Sequence, residues 1–310
     1  MILVIIPAAA IVAASLASFA GRWVWWLDVL ANFRAQYVVV LMVLGGIVVL
    51  SRWRRTGMAI LAVALINLFF VAPLYFGSPG ESDPAAPYLR VLSFNLLSTN
   101  ESYNEVIEYI ETVQADLVFL HEASRPWEVA LEAAELDYEI IRARSDNLIF
   151  GTLVLARDEV EAVSHGFAEA QPRAVALDYQ PDGWPVSVEV LSTHTLAPTT
   201  EERASLRDAQ LAFAAKWAAE QEGAYFVVGD LNATPWSWPF RNLVSKGGLR
   251  NSQIGFGLQP TFSATSFGLL RVPIDHLLHS DALRVRDRNL GPSIGSDHFA
   301  LVVDLEYVAS

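Results

Sequence analysis

Hydrophobic residues form three long runs in the first quarter of the chain. Met1 to Ala20 contains no charged residue, and further apolar runs cover residues 35–50 and 57–76. A helix needs about 20 apolar residues to cross a bilayer. The pattern therefore predicts three transmembrane helices, at about 1–20, 35–50 and 57–76, rather than three helices of a buried core. A cleaved signal peptide is the alternative for the first run, but no Lys or Arg precedes it.

The two connectors between these runs carry arginines in unequal numbers. Arg22 and Arg34 lie in the first connector, close to three tryptophans of the kind found at membrane interfaces. The second connector has three arginines within residues 51–56. Because short arginine-rich loops stay in the cytoplasm, the second connector and the N-terminus are expected inside. The sequence thus predicts an integral membrane protein whose C-terminal part lies in the periplasm or outside the cell.

Short apolar runs and helical patterns alternate in the rest of the chain. Residues 78–87 contain three prolines, a glycine and two acids, which indicates a linker. Helices are predicted at 101–113, 126–136 and 200–222, the last with Thr199 and Glu202 at capping-box spacing. Both halves of this region mix strands with helices. We therefore predict an α/β fold in which two packed mixed sheets are flanked by helices, a four-layer sandwich formed by one domain over residues 88–310.

Six apolar segments of this domain carry a polar, proton-handling or metal-binding group at one end. These groups are Asn95, His121-Glu122, His194, Asp230 with Asn232, Asp275-His276 and Asp297-His298. In open α/β sheets, reactive groups collect at strand ends. The segment Gly229-Asp230-Leu231-Asn232 is the most informative, because packing gives no reason for a carboxylate and an amide directly after a buried strand. The chain is therefore predicted to be an enzyme.

Five of these side chains offer oxygen ligands, and the chain has no cysteine that could offer sulfur: Asn95, Glu122, Asp230, Asn232 and Asp297. Such a set suits Mg²⁺ better than Ca²⁺, since Mg²⁺ needs few protein ligands and keeps several waters. Glu122 is the most suggestive, because an acid behind a buried strand is costly unless a cation or a donor meets it. A carboxylate that caps the helix after Ser124 explains Glu122 equally well.

Two histidines are candidates for proton transfer, His194 and His298. A loop at residues 291–296 can project His298, and Asp275 offers a carboxylate that would orient its imidazole. His276 follows Asp275 on the same strand and points to the opposite face, so only Asp275 is placed in the site. The remaining histidines are interpreted as hydrogen-bonded structural residues: His121, His165 and His279.

Charge is distributed unevenly and bears on the substrate. Residues 1–77 hold five Arg and one Asp, whereas residues 78–310 hold 16 basic and 33 acidic residues, a net charge of −17. Binding of a long nucleic acid relies on phosphate neutralisation by Lys and Arg, and Lys216 and Lys246 are the only lysines. Nucleic acid is therefore disfavoured as a partner, with a local basic groove as the alternative.

The six polar segments resemble, in order, the signature segments of the endonuclease/exonuclease/phosphatase superfamily, which includes deoxyribonuclease I. They read Ser-Phe-Asn (93–95), Leu-His-Glu (120–122), Ser-Thr-His-Thr (192–195), Gly-Asp-Leu-Asn (229–232), Ile-Asp-His (274–276) and Ser-Asp-His (296–298). The resemblance covers about residues 88–306, and the N-terminal helices look like those of membrane-anchored bacterial members. It implies a membrane-tethered phosphoesterase that hydrolyses phosphate mono- or diesters by metal-assisted attack of water.

The resemblance also implies a role for each site residue. Asn95, Glu122 and Asp297 would surround Mg²⁺, with Mn²⁺ as a possible substitute. Asp230 and Asn232 would position the attacking water and the scissile phosphate, and His194 would donate to a phosphate oxygen. His298, oriented by Asp275, would act as general base or stabilise the charge of the transition state.

Several questions stay open at the level of sequence. Leu97 stands where nucleases of this superfamily often have an acid, which favours phosphoester hydrolysis in general over nuclease activity. A phospholipid or sphingolipid headgroup, a sugar or inositol phosphate, and nucleic acid are the candidate substrates. A non-catalytic membrane scaffold on the same fold is the alternative function. Trp236 and Trp238 either pack on the core as a lid or contact the substrate or the lipid interface.

Overall fold

The computed structural model describes residues 1–77, 85–143, 151–158, 160–165, 174–263 and 268–308, so most of the predicted linker lies outside the described residues. In these ranges the α-helices are α1 (Ile2–Ala17), α2 (Trp25–Ala31), α3 (Arg34–Val49), α4 (Arg54–Val71), α5 (Tyr103–Val113), α6 (Arg125–Ala133), α7 (Glu201–Ala219) and α8 (Trp238–Lys246). The strands are β1 (Leu89–Asn95), β2 (Leu117–His121), β3 (Glu139–Ala143), β4 (Thr152–Ala156), β5 (Glu161–His165), β6 (Ala174–Tyr179), β7 (Val188–Ser192), β8 (Tyr225–Asp230), β9 (Arg250–Asn251), β10 (Asp275–His279), β11 (Leu283–Leu290) and β12 (Leu301–Tyr307).

The strands form two mixed sheets of six strands each, in the orders β11-β12-β1-β2-β4-β3 and β5-β6-β7-β8-β10-β9. The inner faces of the sheets pack on each other through a core that includes Phe119 of the first sheet and Phe226 of the second. Helices α5 and α6 cover the outer face of the first sheet, and α7 and α8 cover that of the second. The predicted four-layer sandwich is therefore confirmed.

Strand β1 shows why the sequence has apolar runs rather than a strict alternation. Leu89 and Val91 enter the core between the sheets, whereas Leu92 and Phe94 contact the outer helices. Successive side chains of a strand point to opposite faces. Because both faces of this sheet are covered, apolar residues occur on both faces of the strand and not only at alternate positions.

The six polar segments meet at one edge of the sandwich, which we call the polar edge. Strands β1, β2, β7 and β8 end there, and β1–β2 and β7–β8 are parallel pairs. Strand β10 is antiparallel to β8 and places Asp275 directly opposite Asp230. Strand β12 is antiparallel to β1, so His298 reaches the same edge just before the strand begins. Strand β10 begins at Asp275 and also contains His276, as the sequence indicated.

Helix α7 begins one residue later than the sequence indicated. Its N-cap is Thr200, whose hydroxyl accepts a hydrogen bond from the backbone N–H of Arg203 at 3.2 Å. The predicted capping box at Thr199 is therefore wrong. Since the third helical residue is Arg203, no acid is available to return a hydrogen bond to the cap.

The N-terminal helices α1, α3 and α4 pack together and α2 contacts α1, and we call these four helices the bundle. Ile2–Ala20 and Arg54–Leu74 are each long and apolar enough to cross a membrane. Helix α3 has only 16 residues, and it reaches the length of a span when counted with α2, to which it is joined at an angle of 63°. The described chain thus has two candidate spans, or three if the bent pair counts as one.

A buried polar network holds the bundle together. Arg34, predicted in a connector, is only 2% exposed, and its guanidinium lies 4.3 Å from the ring centroid of Phe19 and 4.5 Å from that of Phe70. It donates hydrogen bonds to Asn67 Oδ1 at 3.1 Å and Ser18 Oγ at 3.2 Å. Helices α1, α3 and α4 are therefore joined by neutral hydrogen-bond acceptors and aromatic faces around the cation of Arg34.

Replacing Asn67 by Leu should destabilise the bundle, because the Arg34 guanidinium then loses a buried acceptor. We expect a loss of about 1–2 kcal/mol, measured as a lower thermal midpoint of the full chain in detergent. Leu68→Ala is the control, since Leu68 is the next residue and is 38% exposed. Equal midpoints for Asn67→Leu and the wild type would show that the network is not stabilising.

Candidate active site

Gly229 shapes the end of strand β8. Its φ of +138° lies in a region that other residues rarely adopt, and a Cβ here would overlap the carbonyl oxygen of Thr193 and lie 2.9 Å from Nε2 of His121. Glycine thus allows β8 to lie close to the end of β7. The next residue, Asp230, accepts a hydrogen bond from the N–H of Asn232 at 2.9 Å, which closes the turn.

Asn95 joins two carboxylates across the polar edge. Its Nδ2 donates to Glu122 Oε1 at 3.2 Å and to Asp230 Oδ2 at 3.1 Å. Glu122 has a left-handed backbone with φ of +55°, a strained conformation that turns its side chain toward this edge. Its second oxygen accepts from the N–H of Ser98 at 3.1 Å. These contacts account for the Glu122 carboxylate, and the α6 N-cap residue is Ser124, so the helix-cap explanation of Glu122 is not needed.

Asp275 and His298 form a buried pair beside these carboxylates. His298 Nδ1 lies 2.8 Å from Asp275 Oδ2, and His298 Nε2 lies 3.8 Å from Asp230 Oδ2. The loop before His298 is fixed because the Ser296 hydroxyl donates to the carbonyl oxygen of Asn95 at 2.7 Å. The structure therefore orients the imidazole as the sequence suggested.

The charges of this cluster control each other's protonation. Burial alone would lower the pKa of His298, but Asp275, its hydrogen bond and Asp230 together raise that pKa to about 10. Burial opposes ionisation of Asp275, yet His298 holds the pKa of this carboxyl below its usual value. Burial and the charge on Asp275 raise the pKa of Asp230 to about 7. Without a cation, the cluster thus holds an imidazolium, a carboxylate and one carboxyl that titrates near neutrality.

His194 completes the inner wall of the site as a neutral side chain. Burial lowers its pKa to about 4, although Glu122 opposes the shift. Its Nε2 lies 3.6 Å from Asp230 Oδ2 and 3.8 Å from Glu122 Oε1. A neutral imidazole at this place can donate one hydrogen bond to a bound group.

The donor set fits a divalent cation. Carboxylate oxygens of Glu122 and Asp230 converge on one nitrogen of Asn95, in a place where their charges are only partly compensated. Among the described residues, Asp230, Asp275 and His298 also place ligand atoms within 4.8 Å of one another. Because Asp275 and His298 already bind each other, the Glu122 side of Asp230 is the better place for an oxygen-preferring cation.

Asn232 and Asp297, also predicted for the site, have surroundings that differ from those of Glu122 and Asp230. The Asn232 side chain donates to the carbonyl oxygen of Thr195 at 2.9 Å, so it fixes the turn. Asp297 is half-buried and contributes to the raised pKa of His298. Within the described ranges, its side chain makes no hydrogen bond or ion pair with Glu122 or Asn95.

The histidines outside the site differ from one another. His276 points away from Asp275, as expected, and its Nε2 contacts the carbonyl oxygen of Ala233 at 2.9 Å. His279 contacts the carbonyl oxygen of Ser280 at 2.8 Å. His121, in contrast, is fully buried without a hydrogen-bond partner among the described residues. Its interpretation as a hydrogen-bonded residue is therefore wrong, and burial lowers its pKa to about 3, which keeps it neutral.

Sequence reasoning missed Arg207 on helix α7. Its side chain is 2% exposed and donates to the carbonyl oxygen of Asn232 at 3.2 Å. The available signal was its spacing, because Arg207 follows Ala204 and precedes Leu211 and Ala214 on the buried face of the helix. An arginine on the buried face of a helix requires a buried partner.

Comparisons with known proteins agree with this geometry. A family model described as "Endonuclease/Exonuclease/phosphatase family" matches residues 92–298. An endonuclease/exonuclease/phosphatase from Bacteroides vulgatus is similar in structure, with a TM-score of 0.61, 17% identity and coverage of 71% of this chain and 99% of that chain. No match is found among curated proteins.

Two other solved structures have the same fold. D. rerio TDP2 in complex with a single-strand DNA product has a TM-score of 0.58 and 15% identity, and the match covers 71% of this chain and 99% of that chain. The catalytic domain of human Nocturnin with a bound sulfate anion has a TM-score of 0.54 and 20% identity, over 72% of this chain and 96% of that chain.

Replacing Asp275 by Asn should lower the pKa of His298. Burial disfavours the charged imidazolium, and the variant lacks the negative charge of Asp275 that offsets this effect. An NMR titration of the labelled histidine in cation-free protein measures this change. Asp281→Asn is the control, since Asp281 is an exposed acid bound to Arg250. An unchanged His298 titration in Asp275→Asn would show that the pair does not set this pKa.

The same pair makes stability depend on pH. The folded-state pKa of His298 is about 10, and the usual pKa of histidine is about 6.5. Its contribution to stability is therefore complete below the lower value and is lost as pH rises toward the upper one. The fall in thermal midpoint over this range should be smaller in Asp275→Asn than in the wild type.

Proposed function

The chain belongs to the endonuclease/exonuclease/phosphatase family, and we propose that it is a membrane-tethered, Mg²⁺-dependent hydrolase of phosphate mono- or diesters. One observation supports this more than any other. Segments that lie far apart in sequence bring the buried Asp230 and His298 and the half-buried Glu122 into one cluster at the polar edge. Packing alone gives no reason to bury these charges together.

The proposed cation site uses the oxygen ligands of this cluster. Glu122 would hold Mg²⁺ or Mn²⁺, with Asn95 and Asp230 beside it, and Asp297 remains a candidate ligand. When bound, the cation stabilises negative charge that develops on the phosphate and on the leaving oxygen.

The residues around it supply proton transfer and orientation. Water adds to phosphorus, the P–O bond to the leaving alcohol breaks, and the proton of the water passes to Asp230. Asp230 is suited to accept that proton because its Oδ2 lies between Asn95 and His298 in the site, and without a cation its pKa is about 7. His298, with a pKa of about 10, is suited to stabilise negative charge and to protonate the leaving oxygen.

His194 and Asn232 would complete the site around the phosphate. The pKa of His194 is lowered to about 4 by burial, so it is neutral and can donate to a phosphate oxygen. Asn232 holds the turn that carries Asp230. Of the two roles left open for His298, its raised pKa favours stabilisation of charge over action as a general base.

The alternatives have less support. A non-catalytic scaffold would have no need for the buried cluster, and all of its members are present. Nuclease activity is opposed by the net charge of −17 over residues 78–310. Leu97, at the position where nucleases often have an acid, has a left-handed backbone with φ of +62° and offers no carboxylate.

We also propose that the catalytic domain lies on the periplasmic or outer side. Arg52, Arg54 and Arg55 are exposed in the second connector, whereas the first connector exposes Arg22 and buries Arg34. This difference supports a cytoplasmic second connector.

Asp230→Ala and His298→Ala should each reduce hydrolysis of bis-p-nitrophenyl phosphate by the full chain in Mg²⁺ by about a hundredfold or more. His165→Ala should keep wild-type turnover, because His165 lies on the edge strand β5 against Phe213. Thermal midpoints establish that the variants are folded. Wild-type turnover in both site variants would refute the assigned roles.

Removal of divalent cations should abolish turnover of the same substrate, because the cluster then lacks the charge that stabilises the leaving oxygen. Addition of Mg²⁺ or Mn²⁺ after chelation should restore it. Undiminished turnover in excess chelator would contradict metal dependence without affecting the membership of the family.

A C-terminal fusion tests the orientation. Alkaline phosphatase fused after Ser310 should be active in bacterial cells, and green fluorescent protein at the same place should be dark. A fluorescent fusion together with inactive alkaline phosphatase would place the catalytic domain in the cytoplasm.

A further inference from the structure

The bundle is docked onto the polar edge of the catalytic domain. The Thr234 hydroxyl donates to Asn32 Oδ1 at 3.0 Å, and Gln36 Nε2 donates to the carbonyl oxygen of Arg271 at 2.8 Å. Thr234 follows the Gly-Asp-Leu-Asn turn, and Arg271 precedes the strand that carries Asp275. We call the contact between these loops and helices α2 and α3 the seam. The catalytic cluster and the seam are thus on the same side of the domain.

A buried ion pair makes this docking rigid. Arg207 Nη2 lies 3.3 Å from Asp28 Oδ2 of helix α2, and both side chains are at most 4% exposed. The same guanidinium donates to the carbonyl oxygen of Asn232, and Asp28 Oδ1 accepts from the N–H of Trp238 at 2.8 Å. The turn that carries Asp230 and Asn232 is therefore held against helix α2 through one arginine, in addition to the connection along the chain.

Exposed apolar side chains concentrate at the seam. Among the described residues 85–308, the large hydrophobic side chains that are exposed are Tyr88, Val129, Val163, Trp238, Ile254 and Leu270. The last three lie on segments that contact the bundle or adjoin such contacts. On the bundle side, Trp23 is 70% exposed and Trp26 is 54% exposed. Exposed tryptophans next to apolar helices are typical of the interface between a membrane and water.

Two arginines give the seam a positive surface. Arg22 of the first connector and Arg241 of helix α8 are exposed and lie 5.3 Å and 5.7 Å from the ring centroid of Trp238. Neither forms an ion pair with a described residue. Residues 78–310 have a net charge of −17, so a pair of arginines beside aromatic side chains at this surface is distinctive and fits the phosphate groups of lipids at a bilayer surface.

We propose that the substrate is a phosphoester of a membrane lipid, hydrolysed while the lipid is still in the bilayer. This inference rests on the proposed function and names its substrate class. The loops that contact the bundle adjoin the segments that carry Asp230 and Asp275, so the proposal places the lipid headgroup at this side of the domain. A water-soluble phosphoester requires neither this fixed docking nor an apolar surface at the seam. Water adds to phosphorus, and its proton ends on the alcohol that leaves.

The first test uses the full chain in vesicles. They contain phosphatidylcholine, phosphatidylethanolamine, phosphatidylglycerol, cardiolipin and phosphatidic acid, and Mg²⁺ is present. Phosphorus NMR should show the loss of at least one lipid signal and the appearance of its product. The Asp230→Ala chain should leave every lipid signal unchanged.

Hydrolysis of bis-p-nitrophenyl phosphate by the protein in the same vesicles distinguishes failure of the lipid inference from failure of the proposed function. If this soluble ester is hydrolysed and all five lipids stay intact, the lipid inference is wrong and the proposed function stands. If neither the ester nor any lipid is hydrolysed, the proposed function itself fails.

The second test changes the seam. Leu270→Ser removes an apolar side chain that is 58% exposed, and Val163→Ser is a matched control on strand β5 at 59% exposure. The ratio of lipid turnover to soluble-ester turnover should fall about tenfold in Leu270→Ser. Transfer of a leucine side chain from water to an apolar phase is favourable by about this factor. The ratio should stay unchanged in Val163→Ser.

A double variant with Trp238→Ser added should lower the ratio further, and its thermal midpoint is measured to detect loss of the fold. Equal ratios in Leu270→Ser, Val163→Ser and the wild type would overturn engagement of the lipid at the seam. The single variant decides the question even if the double variant unfolds.

Discussion

Two carboxylates, buried directly opposite each other, impose the main constraint on this fold. Asp230 and Asp275 face each other across strands β8 and β10, and each is 1% exposed. Two like charges cannot both remain ionised in such a place without compensation. His298 supplies one positive charge, but burial and the charge on Asp275 still raise the pKa of Asp230 to about 7. A bound cation would provide the rest, which is why the same geometry that strains the protein suits a metal-dependent reaction.

Much of the surrounding structure serves to hold this unfavourable arrangement. Gly229 allows β8 to pass close to β7 where a Cβ would overlap the Thr193 carbonyl oxygen. The antiparallel directions of β10 and β12 bring late parts of the sequence back to the edge where the early strands end. The backbone is left-handed at Glu122 and at Asn232, and this conformation turns the chain at that edge. Backbone strain of this kind persists only where the surrounding fold enforces it.

The sequence predicts the site better than it predicts the contacts that support the site. Asn95, Glu122 and His298 were recognisable because polar residues directly after or before apolar strands have no packing role. The pairing of Arg207 with Asp28 was not, because the two residues are 179 positions apart and a buried arginine does not specify its partner. Arg34 was assigned to a connector for a related reason. A charged residue next to an apolar run indicates the end of a helix unless the packing of neighbouring helices is known.

The distribution of charge explains how the two parts of the chain are joined. Asp28 is the single acidic residue among residues 1–77, and it is the one that binds Arg207 of the catalytic domain. Removing the bundle would take from this arginine one of its two carboxylates, Asp28 at 3.3 Å, and leave the half-exposed Asp208 at 2.8 Å. The boundary at residues 78–87 therefore separates two kinds of sequence that are in contact through a buried ion pair. Since Arg207 also binds the Asn232 carbonyl oxygen, the contact between helix α2 and the rest of the chain bears directly on the turn that carries Asp230.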